Sequence, residues 1–92
     1  MDEIILDGCC MTSKTAAHEY IKNMLDFPAY YGENLDALWD LLISSRKIIY
    51  IYLKNEEKLY ENLGDYGVLL IEVFQDAANE NENIHFIIIH TS

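Results

Sequence analysis

Three short runs of apolar residues are spread along the chain, and each predicts a β-strand. The runs cover residues 3–7, 48–53 and 84–89. The middle run, Ile-Ile-Tyr-Ile-Tyr-Leu, is apolar or aromatic throughout, as is typical of a strand inside a parallel sheet. Every run is far too short to cross a membrane, so the pattern indicates the core of a globular protein.

The segments between the strands place apolar residues at helical spacing and have recognisable ends. Thr12 or Ser13 is a suitable N-cap for the first helix, and Pro28 ends it because the residue before a proline avoids helical geometry. Asn34 is suited to cap the second helix, and Asp65 to cap the fourth. The four predicted helices cover residues 13–26, 35–44, 55–63 and 66–80.

The order of elements is therefore β-α-α-β-α-α-β. Strands separated by long helical segments pair in parallel through crossover connections. The length is too small for two independent cores. The predicted fold is a single α/β domain over residues 1–92, with a three-stranded parallel sheet and packed α-helices. The order of the strands within the sheet does not follow from the sequence.

The predicted second helix divides its residues between two faces. At 100° per residue, the arc that faces the core consists of Leu35, Leu38, Trp39 and Leu42. The neighbouring flank consists of Asp36, Asp40 and Ile43. Its two aspartates form an i,i+4 pair of like charge, which costs an isolated helix roughly 0.2–0.5 kcal/mol. A flank that disfavours its own helix indicates a surface that serves an interaction.

Acidic residues dominate the chain and lack local counter-charges. Sixteen Asp and Glu residues stand against six Lys and Arg residues, for a net charge of −10. This balance disfavours docking on anionic membranes and binding to nucleic acid, which requires bases that displace counterions from phosphates. It favours a cationic partner. Residues 23–45 contain no Lys or Arg, and the fourth helix carries a second acidic ladder of Glu72, Asp76 and Glu80.

The loop before the second helix adds aromatic side chains to the acidic flank. It contains Tyr30 and Tyr31, and Trp39 follows on the helix. Aromatic residues are enriched at the centres of protein interfaces, so we predict a protein-binding surface here. Two aspartates on a convex helix lack the cleft and the contrast in environment that acid–base catalysis requires, and no enzyme activity is expected.

The histidines and cysteines form no catalytic or metal-binding pattern. His18 is expected to face solvent on the first helix, while His85 and His90 are expected to point to opposite faces of a strand. Cys9 and Cys10 are adjacent, where a disulfide would be strained, so two reduced thiols are expected. No cofactor or metal is predicted. The N-terminus lacks the pattern of a secretory signal, which makes the cytoplasm the expected location.

The run PAYYGENLDALWDLL, from Pro28 to Leu42, strongly resembles the barstar family of intracellular inhibitors of barnase-type ribonucleases. Residues 73–77 are similar to the last helix of that family, and residues 84–89 to its final strand. The likeness extends over essentially the whole chain, although only the first run is highly specific. The resemblance implies a three-stranded parallel sheet with packed helices, and an inhibitor that binds a small basic ribonuclease one to one.

The resemblance also implies a role for each residue of the loop and the second helix. Asp40 would take the place of a substrate phosphate among the catalytic Arg, Lys and His groups of the enzyme. Asp36 would pair with an active-site Arg, and Tyr30 would stack against the catalytic His. The loop and the second helix would together fill the active site of the enzyme. The residues that would shape this binding surface are Gly32, Asn34, Leu35 and Trp39.

The chain departs from the family pattern at the rim of the implied interface. Asp76 matches a peripheral acid but is one methylene shorter than the family's glutamate. Ile43 replaces a hydroxyl-bearing contact, and Ser45 stands near the place of an interface tryptophan. Such a rim suits a different basic ribonuclease. The alternative function is that of an acidic adaptor or nucleic-acid mimic for a basic protein that is not a nuclease.

Overall fold

The computed structural model describes residues 2–90 and has the predicted order of elements. The ends of the predicted strands and helices shift by a residue or two, and a 3₁₀ turn, Gly8–Cys10, has no counterpart in the prediction. Within residues 2–90, no helix combines the length and the apolar character needed to cross a membrane. The elements are β1 (Asp2–Asp7), α1 (Lys14–Leu25), α2 (Leu35–Ile43), β2 (Ile49–Lys54), α3 (Glu56–Leu63), α4 (Asp65–Glu80) and β3 (Ile84–Ile88).

The three strands form one parallel sheet in the order β1-β2-β3. Ile51 in the central strand pairs with Ile4 of β1 on one side and with Phe86 of β3 on the other. The predicted α/β fold, with a three-stranded parallel sheet and packed helices, is confirmed. The structure also supplies the strand order that the sequence left open.

The helices cover only one face of the sheet. On this face Leu6, Ile51 and Ile84 are buried. The residues that alternate with them along the strands point to the opposite face, where Ile5 is 51% exposed and Ile87 is 38% exposed. Parallel sheets are usually covered on both faces, so the continuous apolar character of the strands suggests more burial than the structure has.

Local capping chemistry starts the first helix but not the last. Ser13 Oγ accepts a hydrogen bond from the Ala16 backbone N–H at 3.1 Å and caps α1, as predicted. The prediction that Asp65 caps α4 is wrong, because Asp65 is already the first helical residue and follows Gly64. Gly64 has φ +58°, which glycine adopts without steric cost, so the turn in the backbone positions the start of α4.

The turn after β1 carries both cysteines and lies tightly against the start of α3. Cys9 and Cys10 are exposed free thiols, as predicted. A Cβ atom on Gly8 would overlap the backbone carbonyl of Asn55, so only glycine fits at this position. The close approach is also fixed by Asn55 Nδ2, which donates a 2.9 Å hydrogen bond to the Asp7 carboxylate.

The prediction that His18 faces solvent is wrong. Its side chain is 1% exposed, with Nδ1 at 2.7 Å from the Tyr31 hydroxyl and Nε2 at 2.6 Å from the Tyr66 hydroxyl. The two hydroxyls satisfy both ring nitrogens, which removes most of the cost of burying the imidazole. Neither partner lies on α1, so the pattern of that helix gives no sign of this arrangement.

Candidate functional site

The N-terminal end of α2 is fixed by the residue that the sequence assigns as its cap. Asn34 Oδ1 accepts a hydrogen bond from the Ala37 backbone N–H at 2.8 Å. Asn34 Nδ2 donates to the Gly32 carbonyl oxygen at 3.2 Å, which ties the helix start to the loop before it. One side chain therefore satisfies an unpaired helix donor and sets the angle at which the loop enters α2.

Replacement of Asn34 by alanine is expected to lower the free energy of unfolding by about 1 kcal/mol, because the Ala37 N–H loses its acceptor. Urea denaturation followed by far-UV circular dichroism measures the change. Asn23→Ala is the matched control, since Asn23 is an exposed asparagine within α1. Equal unfolding midpoints for the two variants would show that the cap contributes nothing.

The C-terminal end of α2 is held by asparagines from another part of the chain. Asn81 Nδ2 lies within hydrogen-bond distance of three carbonyl oxygens, those of Leu42 (2.9 Å), Ile43 (3.2 Å) and Ser45 (3.0 Å). Asn83 Nδ2 donates to the Ser45 carbonyl as well, at 3.2 Å. The last carbonyls of a helix have no partner within the helix, and these amides provide one. Both ends of α2 are thus anchored before any partner binds.

The loop before α2 holds its two tyrosines in opposite environments. Tyr30 is 81% exposed, whereas Tyr31 is 5% exposed and packs with a ring-centroid distance of 5.0 Å from Phe27. Of the two loop tyrosines named for the predicted protein-binding surface, only Tyr30 is exposed, whereas Tyr31 is part of the core. Burial also raises the pKa of the Tyr31 hydroxyl well above its usual value, so that hydroxyl stays protonated.

The carboxylates of Asp36 and Asp40 lie exposed on α2 without a counter-charge. Across residues 2–90, neither has a basic nitrogen within 4.0 Å, whereas Asp7, Glu56 and Glu61 each have one. Asp36 lies in the first turn, where the helix dipole favours a negative charge. Asp40 is further along and gains nothing from it. The two charges are available to cations from outside the chain.

A shallow cleft of about 190 Å³ runs between the loop and α2. It brings together three residues predicted for the site, because Tyr30 and Gly32 form its loop side and Asp40 lies on its helix side. An aromatic ring beside a carboxylate suits a flat cationic group, such as a guanidinium or an imidazolium. The lining residues are Tyr30, Tyr31, Gly32, Ala37, Asp40 and Leu41.

The other predicted site residues lie around this cleft in different environments. Leu35 and Trp39 are partly buried against the core, beside the buried Leu38 and Leu42, so the predicted core arc is correct. Ile43 is exposed at the end of α2. Asp76 is exposed on α4, which packs against α2, and it does not line the cleft.

Sequence reasoning missed the buried and partly buried residues whose hydrogen bonds hold α2 and the loop in place. Asn81 and Asn83 reach α2 from the connection between α4 and β3, and His18 reaches Tyr31 from α1. A polar residue after a helix is a weak sign of a cap, and nothing local shows that its amide serves a different helix. These contacts span more than ten residues, beyond the reach of periodicity or capping rules.

Fold and site together define a small α/β protein whose acidic helix and exposed tyrosine suit the binding of a basic protein. The family model described as "Barstar (barnase inhibitor)" matches residues 1–90. The Bacillus subtilis (strain 168) protein named "Putative ribonuclease inhibitor YrdF" is 41% identical over 90 residues, which make up 97% of this chain and 99% of that protein. The chain belongs to the barstar family of ribonuclease inhibitors and is not an enzyme.

Proposed function

We propose that this protein inhibits a small basic ribonuclease, one molecule to one, by laying α2 and the preceding loop over the active site. Asp40 stands in for a substrate phosphate among the catalytic cations, and Asp36 pairs with a neighbouring Arg. Tyr30 stacks on the catalytic His. The observation that carries the proposal is the pair of exposed carboxylates, free of counter-charges within residues 2–90, on a helix fixed at both ends.

Anchoring of α2 supports this mechanism on energetic grounds. Ordering a flexible segment on binding costs free energy that is subtracted from affinity, and a helix held by Asn34 and Asn81 has little left to order. The half-buried Trp39 keeps the helix seated on the core while the acidic flank faces outward. Rigid carboxylates also match the fixed geometry of catalytic Arg and Lys groups better than mobile ones do.

The rim of the surface is proposed to select the enzyme. Ile43 presents an apolar side chain at the end of α2, and Asp76 presents a short carboxylate on the adjoining helix α4. A partner that fits them has an apolar patch beside its basic active site and a cation further out. We place this encounter in the cytoplasm, where the exposed free thiols of Cys9 and Cys10 would stay reduced.

A titration of ribonuclease activity tests the proposal. A panel of small basic ribonucleases of the barnase type is mixed with increasing amounts of this protein, and cleavage of a fluorogenic RNA substrate is measured. We expect at least one enzyme to lose its activity linearly, with the end point at equal molar amounts. Absence of inhibition across the panel would overturn the proposal and favour the adaptor or nucleic-acid-mimic function.

Association with the ribonuclease is expected to slow by at least about tenfold as the salt concentration rises from about 0.02 M to about 0.5 M. The reason is the net charge of −10, which draws a basic partner in over long range and is screened by salt. The dissociation rate is expected to change by less than about twofold, because contacts within the closed interface are poorly screened. Stopped-flow fluorescence measures both rates, and an association rate insensitive to salt would exclude steering.

A further inference from the structure

His18 joins three separate parts of the fold through its two ring nitrogens. The residue lies on α1, while Nδ1 contacts Tyr31 in the loop before α2 and Nε2 contacts Tyr66 on α4. Both distances are short, 2.7 Å and 2.6 Å. The Tyr31 hydroxyl thus ties the loop to the body of the protein through a buried side-chain hydrogen bond.

The environments of the two tyrosines decide which nitrogen of His18 carries the proton. Tyr31 is almost fully buried, and within residues 2–90 the only partner of its hydroxyl is His18 Nδ1. Its O–H must therefore donate to Nδ1, because a buried donor without an acceptor is costly. Tyr66 is partly exposed, so its O–H can donate to water while its oxygen accepts from Nε2–H. His18 is neutral, with its proton on Nε2.

Tyr31 connects this hydrogen bond to the partner-binding surface. Its hydroxyl is hydrogen-bonded to His18, and the residue is among those that line the cleft with Tyr30 and Asp40. Tyr31 also follows Tyr30 directly in the chain, so a shift of one moves the backbone of the other. The position of His18 therefore sets the shape of the cleft between the loop and α2.

We propose that His18 is a positioning residue for the partner-binding loop and makes it sensitive to pH. Neutral His18 accepts the Tyr31 hydrogen bond and keeps the cleft formed. Protonation of Nδ1 removes the acceptor and leaves the buried Tyr31 O–H without a partner, so the loop is released and the ribonuclease binds more weakly. This inference rests on the proposed inhibitor function for its effect on binding, whereas the effect on the loop is independent of it.

One residue of each charge lies at the cleft that leads to His18. A cleft of about 240 Å³ reaches it from solvent, between Lys14 on α1 and Glu33 in the loop. Lys14 Nζ stands 4.7 Å from the centre of the Tyr66 ring. Burial lowers the pKa of His18 from its usual 6.5, and Glu33 counteracts this in part. The other titratable neighbours, Tyr31 and Tyr66, both have raised pKa values and stay neutral.

The sign of the pH effect follows from the lowered pKa. The folded state favours neutral His18 more strongly than the unfolded chain does, so this contribution to stability is fully present above pH 6.5. It is lost as the pH falls through the lower pKa of the folded state. Partner affinity is expected to fall over the same range, in which the Tyr31 O–H loses its acceptor.

Replacement of His18 by glutamine tests the proposal, because a glutamine can accept from Tyr31 and donate to Tyr66 but does not titrate. Affinity for the inhibited ribonuclease is measured by titration calorimetry between about pH 7.5 and about pH 5. We expect equal affinities at the upper end and an affinity at least about twofold higher for the variant at the lower end, with a ratio that grows as the pH falls. Titration of the enzyme's own groups affects both proteins equally, so it cancels in the ratio. Parallel pH profiles would overturn the proposal.

A second measurement uses the free protein and needs no partner. The amide resonances of Tyr30, Tyr31 and Gly32 are followed by NMR over the same pH range, with the amides of β2 reporting that the fold is intact. We expect the loop amides to shift with the pKa of the His18 ring in the wild type and in Tyr66→Phe, but not in Tyr31→Phe or His18→Gln. Loop amide chemical shifts that do not change as His18 titrates would overturn the proposal. Failure of every ribonuclease to bind would instead overturn the proposed function.

Discussion

Replacement of Asp40 by alanine is expected to weaken binding of the ribonuclease by at least about 2 kcal/mol more than replacement of Glu72 by alanine. Asp40 lines the cleft beside Tyr30, where bound cationic groups of the enzyme would be cut off from water. Without the carboxylate, those cations stay buried and unpaired, and that cost adds to the lost attraction. Glu72 lies exposed on α4, outside the cleft, so a cation that meets it keeps its hydration.

The comparison with Glu72 distinguishes the effect of where the carboxylate lies in the interface from the effect of the net charge. Each substitution removes one negative charge, so long-range attraction to a basic enzyme falls by a similar amount in both variants. Titration calorimetry gives the two dissociation constants, and Asp40→Asn adds a variant that keeps the shape of the side chain. Equal losses for Asp40→Ala and Glu72→Ala would mean that Asp40 has no special place in the interface.

The same substitution is expected to leave the free protein as stable as before, or slightly more stable. Asp36 and Asp40 repel each other across one helical turn, and removal of one charge relieves roughly 0.2–0.5 kcal/mol of that repulsion. Alanine also has a higher intrinsic helix propensity than aspartate. A loss of binding without a loss of stability would identify Asp40 as a residue retained for its interaction.

Replacement of Asn81 by alanine is expected to lower the free energy of unfolding by about 2–3 kcal/mol, because it removes a partly buried amide shared by three carbonyl groups. The carbonyls of Leu42, Ile43 and Ser45 would then lack this donor at the end of α2. Guanidinium denaturation measures the change. Asn79→Ala is the matched control, since Asn79 is an exposed asparagine two residues away on α4, and it is expected to be nearly neutral.

Asn81→Asp provides a stricter test of the same contact. Aspartate has nearly the shape of asparagine, and one of its oxygens can still accept from the Asn83 backbone N–H as Asn81 Oδ1 does. Its other oxygen would meet three carbonyl oxygens, which repel it. We expect this variant to be at least as unstable as Asn81→Ala. A stability close to that of the wild type would show that the amide donor does not hold α2.

Greater mobility at the C-terminal end of α2 is also expected to weaken the binding of a partner. Ile43 lies at that end, and Asp40 is one turn before it. Because a mobile helix has to be ordered on binding, Asn81→Ala is expected to weaken ribonuclease binding even at temperatures where the variant stays folded. The sequence places Asn81 after the last helix and so far from the site that its role is invisible without the fold.

The sequence by itself determined whatever depends on neighbours within one or two turns. Asn34 caps α2, and Leu38 and Leu42 separate from Asp36 and Asp40, because these relations follow from helix geometry and reach only three or four residues. The resemblance of the run from Pro28 to Leu42 to barstar then gave the family, which the comparisons confirmed. The roles of its individual residues in binding remain predictions.

Tertiary structure alone decided the order of the strands, the open face of the sheet and the supports behind the site. Periodicity marks one side of a helix but cannot tell which polar residue will find a partner there. His18, one turn from Lys14 and Lys22 on α1, was expected to face solvent, and the sequence does not distinguish the buried Tyr31 from the exposed Tyr30. Their burial depends on hydroxyl and imidazole groups brought together from elements 13 to 48 residues apart, a pairing that exists only once the chain has folded.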